Sequence, residues 1–257
     1  MPITTSFDPS SPAIISPQQM VRPGGGFPDT MIVTFQPRTF AVLVEQYETT
    51  PLPGLYLEEE PGDSPVQAGR AYAFDFQGRT LAGCLSFFGA PGTVAVLEKA
   101  IAYGVTKFVV FGTCGALADL APGCLVVPSA AYRDEGTSYH YAPASDYIPI
   151  PTAEKTADIL TDLGVPHLVS PVWTTDGFFR ETQSNMAKRV GEGCVAVDME
   201  ASALAALAQF RSVTIHHFLY AADSLTDSGW DPRTLSTLPA EPRGRYLRIA
   251  MEIAVRL

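Results

Sequence analysis

Short apolar runs that alternate with helical patterns constrain the fold of this chain more than any other feature. These runs occupy residues 31–35, 107–111, 168–173 and 213–221. Strands that are continuously apolar, rather than alternately apolar and polar, are typical of a parallel sheet with helices on both faces. We therefore predict one α/β domain, with a mainly parallel or mixed twisted central sheet flanked by helices.

The first 30 residues differ in composition from the rest of the chain. They are rich in proline, serine and glycine and include Pro23-Gly24-Gly25-Gly26. We predict an irregular arm over residues 1–30 and the α/β domain over residues 31–257. Residues 49–66 hold prolines and Glu58-Glu59-Glu60, which predicts a solvated loop. Two strands are predicted to pair across Gln77-Gly78, a hairpin signal.

Charge and composition exclude several classes of protein. The net charge of −10 argues against a nucleic-acid-binding surface or an anionic membrane partner. No run approaches the roughly 18 to 20 apolar residues that span a bilayer, and the first residues lack the basic-then-apolar order of a signal peptide. The four cysteines have no metal-ligand spacing: Cys84, Cys114, Cys124 and Cys194. We predict reduced thiols in a cytoplasmic protein without a metal site, with a disulfide pair as the alternative.

Polar residues follow several of the predicted strands, where an open α/β sheet binds its ligands. Gly112-Thr113-Cys114-Gly115 is predicted to be a turn whose amides and hydroxyl hold an anion, or else an ordinary tight turn. Phe178 would stack on a planar base, or close the core. Asp223 would face a ligand, or cap the element that follows it.

Asp198-Met199-Glu200 joins an apolar strand to an alanine-rich helix. Buried carboxylates are costly unless something donates hydrogen bonds to them. The vicinal hydroxyls of a sugar would do so, with Met199 against its apolar face. In the alternative interpretation Asp198 caps the helix and Glu200 favours its positive end.

The segments together resemble the purine and uridine nucleoside phosphorylase superfamily, and most closely its uridine-phosphorylase-like members. The resemblance extends from about Met31 to the C-terminal helix and includes the polar segment Arg133–Tyr141, in which His140 is a catalytic base or a structural histidine. The matching motifs follow the family's order: residues 112–115, Pro122-Gly123 with Val126-Val127, residues 133–141, 176–179 and 198–200.

The resemblance implies the nucleoside phosphorylase fold and the cleavage of an N-glycosidic bond of a ribonucleoside by phosphate. It implies no cofactor beyond phosphate as co-substrate, and a homo-oligomer, either a dimer or a hexamer, whose neighbouring subunits complete the sites. It assigns ribose to Asp198, Met199 and Glu200, the base to Phe178, Phe179, Arg180 and Gln183, phosphate to Arg38, Arg70, Gly112 and Thr113, and catalysis to Glu200 and Asp223.

Two departures from the family pattern leave alternatives open. Asp223 is typical of purine-cleaving members, whereas Arg180 and Gln183 are residue types with which uridine phosphorylases read uracil, at unusual offsets. In the phosphate site Arg38 comes one position early, and Val110 stands where arginine is frequent. A nucleoside hydrolase that uses water, and a non-catalytic nucleoside-binding protein, are therefore alternatives to the phosphorylase.

Overall fold

The computed structural model describes residues 3–21, 25–56, 63–235, 237 and 240–257. Pro23, Gly24 and Glu58-Glu59-Glu60, which entered the predictions of the arm and the loop, lie outside these residues. The strands within them are β1 (Thr30–Thr34), β2 (Thr49–Pro51), β3 (Ala71–Phe76), β4 (Arg79–Leu85), β5 (Lys107–Ala116), β6 (Leu125–Asp134), β7 (Tyr147–Pro149), β8 (His167–Thr175), β9 (Ala196–Asp198), β10 (Thr214–Thr226) and β11 (Gly229–Asp231). The helices are α1 (Pro37–Gln46), α2 (Ala90–Ala102), α3 (Ala153–Asp162), α4 (Gln183–Gly191), α5 (Ala201–Arg211) and α6 (Ala240–Ala254).

The strands form one mixed sheet in the order β11-β10-β6-β8-β9-β5-β1-β4-β3-β2, with β7 beside β6. Because β10 also pairs with β5, the strands β5, β10, β6, β8 and β9 close into a ring. The predicted fold class is confirmed. The sheet is mixed, since β9 runs antiparallel to β5 and β6 antiparallel to β10.

Helices on both faces explain why the central strands carry apolar side chains on both of their sides. In β5, Val109 and Phe111 face a cluster built with α1, α3 and α6, whereas Phe108 and Val110 face a cluster built with α2 and α5. Successive strand residues point to opposite faces, so both sets must be apolar. The two faces therefore require the continuous pattern from which the sheet was predicted.

The turn predicted at residues 112–115 was wrong, because β5 continues through it to Ala116. Gly112 and Thr113 lie in register with Leu219 and Tyr220 of β10, so this backbone belongs to the sheet. A side chain at Gly112 would place its Cβ 2.7 Å from the ring of Phe35. The glycine is thus explained by packing rather than by a free anion-binding loop.

Short edge strands account for the remaining differences. The loop prediction was wrong at Thr49–Pro51, which pair with β3 as β2. The pairing of β3 with β4 across Gln77-Gly78 is confirmed, with φ angles of 50° and 79° at the two turn residues. Such positive angles are those of a two-residue hairpin turn.

The described residues before β1 form two short 3₁₀ turns, at Ile3–Thr5 and Pro17–Gln19, and otherwise irregular structure. The ring of Phe27 stacks on Tyr103 at 4.9 Å, which fixes the end of this segment against α2. The boundary between arm and domain stays a prediction. Among the described helices, none has both the length and the apolar composition to span a bilayer.

Candidate active site

A cavity of about 820 Å³ opens where several strands end, a volume typical of small-molecule sites. It lies beyond the carboxyl ends of β1, β4 and β8, beside the last residues of β5 and β10 and the start of α5. Its lining includes eight of the predicted site residues: Thr113, Phe178, Phe179, Arg180, Asp198, Met199, Glu200 and Asp223. Positions separated by more than a hundred residues therefore meet around one space.

Asp198 is buried and held by three hydrogen bonds. Its Oδ2 accepts the amides of Glu200 at 3.1 Å and Ala201 at 2.7 Å, and its Oδ1 accepts the hydroxyl of Thr174 at 2.6 Å. Two of these donors are the amides at which α5 begins, which are otherwise unsatisfied in a helix. The contacts support the capping interpretation of Asp198, and its role in ribose binding stays a prediction.

Glu200 is equally buried, but it reaches across to another element. Its Oε1 accepts the amide of Gly89 at 2.5 Å, just before α2 begins. Burial raises the pKa of this carboxyl, and the negative charge of Asp198 raises it further. The structure thus places an acid with an unfavourable charge on the cavity wall, which is the kind of group that functional sites contain.

Asp223 and Glu181 form an acidic wall of the same cavity. Burial raises the pKa of Asp223, whereas a hydrogen bond of 2.7 Å from the indole Nε1 of Trp230 opposes this rise. Burial, together with the charge of Asp223, raises the pKa of Glu181 to about 7. Because the pKa of Glu181 lies near neutrality, this acid can hold a proton beside Asp223.

Thr113 is oriented by a chain of uncharged groups. Tyr220 donates its hydroxyl to Oε1 of Gln36 at 2.6 Å, and Nε2 of Gln36 donates to Oγ1 of Thr113 at 3.2 Å. Because Thr113 accepts this bond, its own hydroxyl hydrogen can point to a ligand in the cavity.

The aromatic side of the cavity is open. Phe178 and Phe179 contact each other edge to face at 4.9 Å, and Phe179 is 91% exposed. Phe88, which also lines the cavity, is 76% exposed. Planar groups stack on such rings.

Four predicted site residues do not line the cavity: Arg38, Arg70, Gly112 and Gln183. Arg38 is exposed near the start of α1, and Gln183 donates instead to the carbonyl of Asp227 at 3.2 Å. Of the described residues that line the cavity, Arg180 is the one cationic side chain. The same lining contains five carboxyl groups: Asp176, Glu181, Asp198, Glu200 and Asp223.

The polar segment Arg133–Tyr141 is part of the scaffold. Arg133 is buried and donates to Oγ of Ser138 at 2.9 Å and to the carbonyl of Ala142 at 3.3 Å. His140 is exposed and lies outside the cavity lining. This position outside the cavity does not support the role of a catalytic base for His140.

Sequence reasoning assigned no role to Gln36, Glu181 or Trp230. Gln36 and Glu181 follow buried strands as polar residues, and that position is a signal that could have identified them. Trp230 gives no such signal, because its contact with Asp223 depends on the pairing of β10 with β11.

Comparison with known proteins gives a consistent result. The family model described as the phosphorylase superfamily matches residues 29–241. Guanosine phosphorylase of Halorubrum lacusprofundi is 30% identical over 138 residues, 52% of this chain and 57% of that protein. The DeoD-type purine nucleoside phosphorylase of Bacillus thuringiensis is 27% identical over 176 residues, 66% of this chain and 74% of that protein. The first of these matches thus spans little more than half of the relative's length.

The structure is also similar to that of uridine phosphorylase from Vibrio fischeri. The TM-score is 0.71 at 20% sequence identity, over 96% of this chain and 97% of that one. At this identity the similarity demonstrates a common fold.

Proposed function

This chain belongs to the phosphorylase superfamily, and we propose that within it the protein is a nucleoside phosphorylase. The reaction transfers the ribosyl group of a nucleoside from its base to inorganic phosphate, which gives the free base and ribose 1-phosphate. The observation that carries the proposal is the meeting of Thr113, Glu200, Phe178 and Asp223 around one cavity.

The sugar would lie against Met199 and Glu200. Cleavage of a glycosidic bond develops positive charge on the sugar in the transition state. A preorganised carboxylate beside the sugar stabilises that charge without reorganising at the moment of reaction. The bond from Gly89 fixes the Glu200 carboxyl at this position.

The base would stack on Phe178 and end at the wall formed by Asp223 and Glu181. As the bond from C1′ to nitrogen breaks, its electron pair goes to the base, and a proton delivered there lowers the barrier. A carboxyl whose pKa is raised by burial, such as Asp223, retains a proton to higher pH than an ordinary aspartate and can deliver it to the base. We propose a purine as the base, since its N7 can receive this proton, and two of the relatives are named as guanosine and purine nucleoside phosphorylases.

The attacking phosphate would lie beside Thr113. A phosphate oxygen bonds to C1′ on the face opposite the departing base, while the Thr113 hydroxyl donates to the phosphate. The bond from Gln36 to Thr113 supports this assignment, since it leaves the threonine hydrogen for the ligand.

Hydrolysis is a second candidate, favoured by one specific observation. Arg38 and Arg70 do not line the cavity, and Gln36 and Thr113 at the proposed nucleophile position are uncharged. A phosphate dianion binds most strongly to charged donors, whereas water needs none. Hydrolysis would give free ribose instead of ribose 1-phosphate.

A panel of purine and pyrimidine ribonucleosides, incubated with the protein with and without phosphate, separates the candidates. The proposal expects base release, measured by chromatography, from a purine nucleoside only when phosphate is present. Equal release without phosphate would contradict phosphorolysis and support hydrolysis. No release from any nucleoside would contradict both.

A further inference from the structure

Trp230 holds the carboxyl group of Asp223 from outside the cavity. The parallel pairing of β10 with β5 is irregular between Ala221 and Asp223. Beyond this point β10 folds back through a hairpin, in which Leu225 lies opposite Trp230 of β11. The hairpin brings the indole Nε1 to 2.7 Å from Oδ2 of Asp223.

The contact between Trp230 and Asp223 is specific, because little other packing holds the indole in place. Trp230 is 57% exposed, so burial does not explain its position. Its single N–H can donate to one acceptor only, and that acceptor is an acid on the cavity wall. Trp173, by contrast, is buried in the core and donates to Asp134.

The bond engages Oδ2, while Oδ1 lies on the side of Gly115, another residue of the cavity wall. A Cβ at Gly115 would be 3.7 Å from Oδ1. The indole therefore fixes the rotation of the carboxyl group, with one oxygen toward the hairpin and the other toward Gly115.

We propose that Trp230 is a positioning residue, which holds Asp223 through Oδ2 so that Oδ1 meets the base. The role of the base rests on the proposed function, whereas the contact between the two side chains does not.

Other titratable groups also interact with Asp223. They are Glu181 after β8, Cys114 on β5 and Arg233 after β11. The hydrogen bond from Trp230 stabilises the ionised carboxylate, so its loss raises the pKa of Asp223 further. If Asp223 gives its proton to the base, the basic limb of kcat/KM then moves to higher pH.

The substitution Trp230→Phe tests this directly, because it keeps an aromatic ring and removes the donor. We expect kcat to fall roughly tenfold or more, the cost of a lost hydrogen bond to a charged group, and the basic limb to rise by about one pH unit. Trp230→Leu should behave in the same way. An unchanged pH profile in Trp230→Phe, or a defect in Trp230→Leu alone, would overturn the proposal.

Fluorescence tests the contact without any substrate. The chain has two tryptophans, so the difference in emission between the parent and Trp230→Phe reports on Trp230. We expect this difference to titrate with pH in the parent and not in the Asp223→Asn background. If the emission of Trp230 still changed with pH in the Asp223→Asn background, the proposal would be overturned. A protein that titrates as expected but cleaves no nucleoside would refute the proposed function and retain the contact.

Discussion

Asp198 and Glu200 are acids two positions apart, yet they have different surroundings. Three donors surround Asp198, two of them amides of its own segment, whereas Glu200 receives the amide of Gly89 from a distant element. The sequence predicts that both acids are buried between strand and helix. It could not separate their roles, because the amide that fixes Glu200 comes from 111 residues away.

Replacing Glu200 by Gln should lower activity and raise stability. The amide keeps an oxygen for the Gly89 N–H but loses the charge, so nucleoside cleavage should fall on the order of 10²-fold. The pKa of Glu200 is raised in the folded protein, so its ionisation costs stability as the pH rises above the ordinary glutamate range. The free energy of unfolding at pH 8 should therefore increase by about 1 kcal/mol or more.

Urea unfolding at pH 5 and pH 8 and a cleavage assay measure both effects. Glu45→Gln makes the same chemical change at an exposed position of α1 and should match the parent. Full activity in Glu200→Gln would show that this acid does not stabilise the transition state.

His217 should make the protein less stable in mild acid. Burial lowers its pKa from 6.5 to about 3, and neither ring nitrogen has a hydrogen-bond partner among the described residues. Between these values the unfolded chain binds a proton that the folded chain does not. The free energy of unfolding therefore falls as the pH drops below 6.5, by up to about 1.4 kcal/mol per pH unit.

His217→Leu should remove this contribution, while His216, whose pKa burial lowers to about 4, still contributes in the same direction. Urea unfolding of the parent and of the His217→Leu variant between pH 4.5 and 7 measures how steeply the free energy of unfolding of each depends on pH. The exposed His140→Gln is the matched control. Parallel curves for the parent and His217→Leu would contradict the assigned ionisation.

At the scale of elements, strand lengths were the hardest feature to predict. The apolar run of β5 ends at Phe111, but the strand continues to Ala116 because β10 pairs with it as far as Ser224. The short strands β2, β7 and β11 have three residues each and form because a longer neighbour offers backbone groups. The central strands and all six described helices could be predicted, since their apolar patterns are local.

The junction before α2 depends on glycine at position 89. Its φ of 85° and ψ of 148° are nearly restricted to glycine, while a Cβ added at this position would have no atom within 4 Å. Gly89→Ala should thus destabilise the fold through backbone strain alone, by about 1 to 3 kcal/mol. It should also lower activity, because the amide donated to Glu200 shifts.

Gly191→Ala is the matched control, since that glycine ends α4 with similarly open space and no positive φ. It should be neutral or stabilise by up to about 1 kcal/mol. Thermal unfolding of both variants measures the comparison. If both substitutions changed the stability equally little, alanine at position 89 would not be strained.

At the scale of the whole molecule, the closed ring of five strands assembles the cavity. Asp223 on β10 lies opposite Gly115, two residues beyond Thr113 on β5, because these strands pair in parallel. The sequence predicts alternating strands and helices, but not this closure, which depends on the pairing of β10 with both β6 and β5. The predicted strand ends were enough to indicate that Thr113, Asp223 and the residues around 178 and 198 lie around one cavity. They did not indicate that Arg38 and Arg70 lie outside the lining of that cavity.

The protein should form a homo-oligomer in solution. Phe88 and Phe179 line the cavity and are 76% and 91% exposed in the single chain. Exposed aromatic groups beside a cavity are typical of surfaces that another chain covers. Light scattering after size exclusion should give the mass of at least two chains at micromolar concentration. A monomer would contradict the expectation and leave the cavity to function in a single subunit.

We propose that ribose is transferred from a nucleoside base to phosphate in this cavity. The most direct measurement is a ³¹P NMR time course of the unmodified protein with phosphate and the nucleoside panel, with base release followed in parallel. Phosphorolysis should give a new sugar 1-phosphate signal that grows in equal proportion to the released base. Base release without that signal would contradict it.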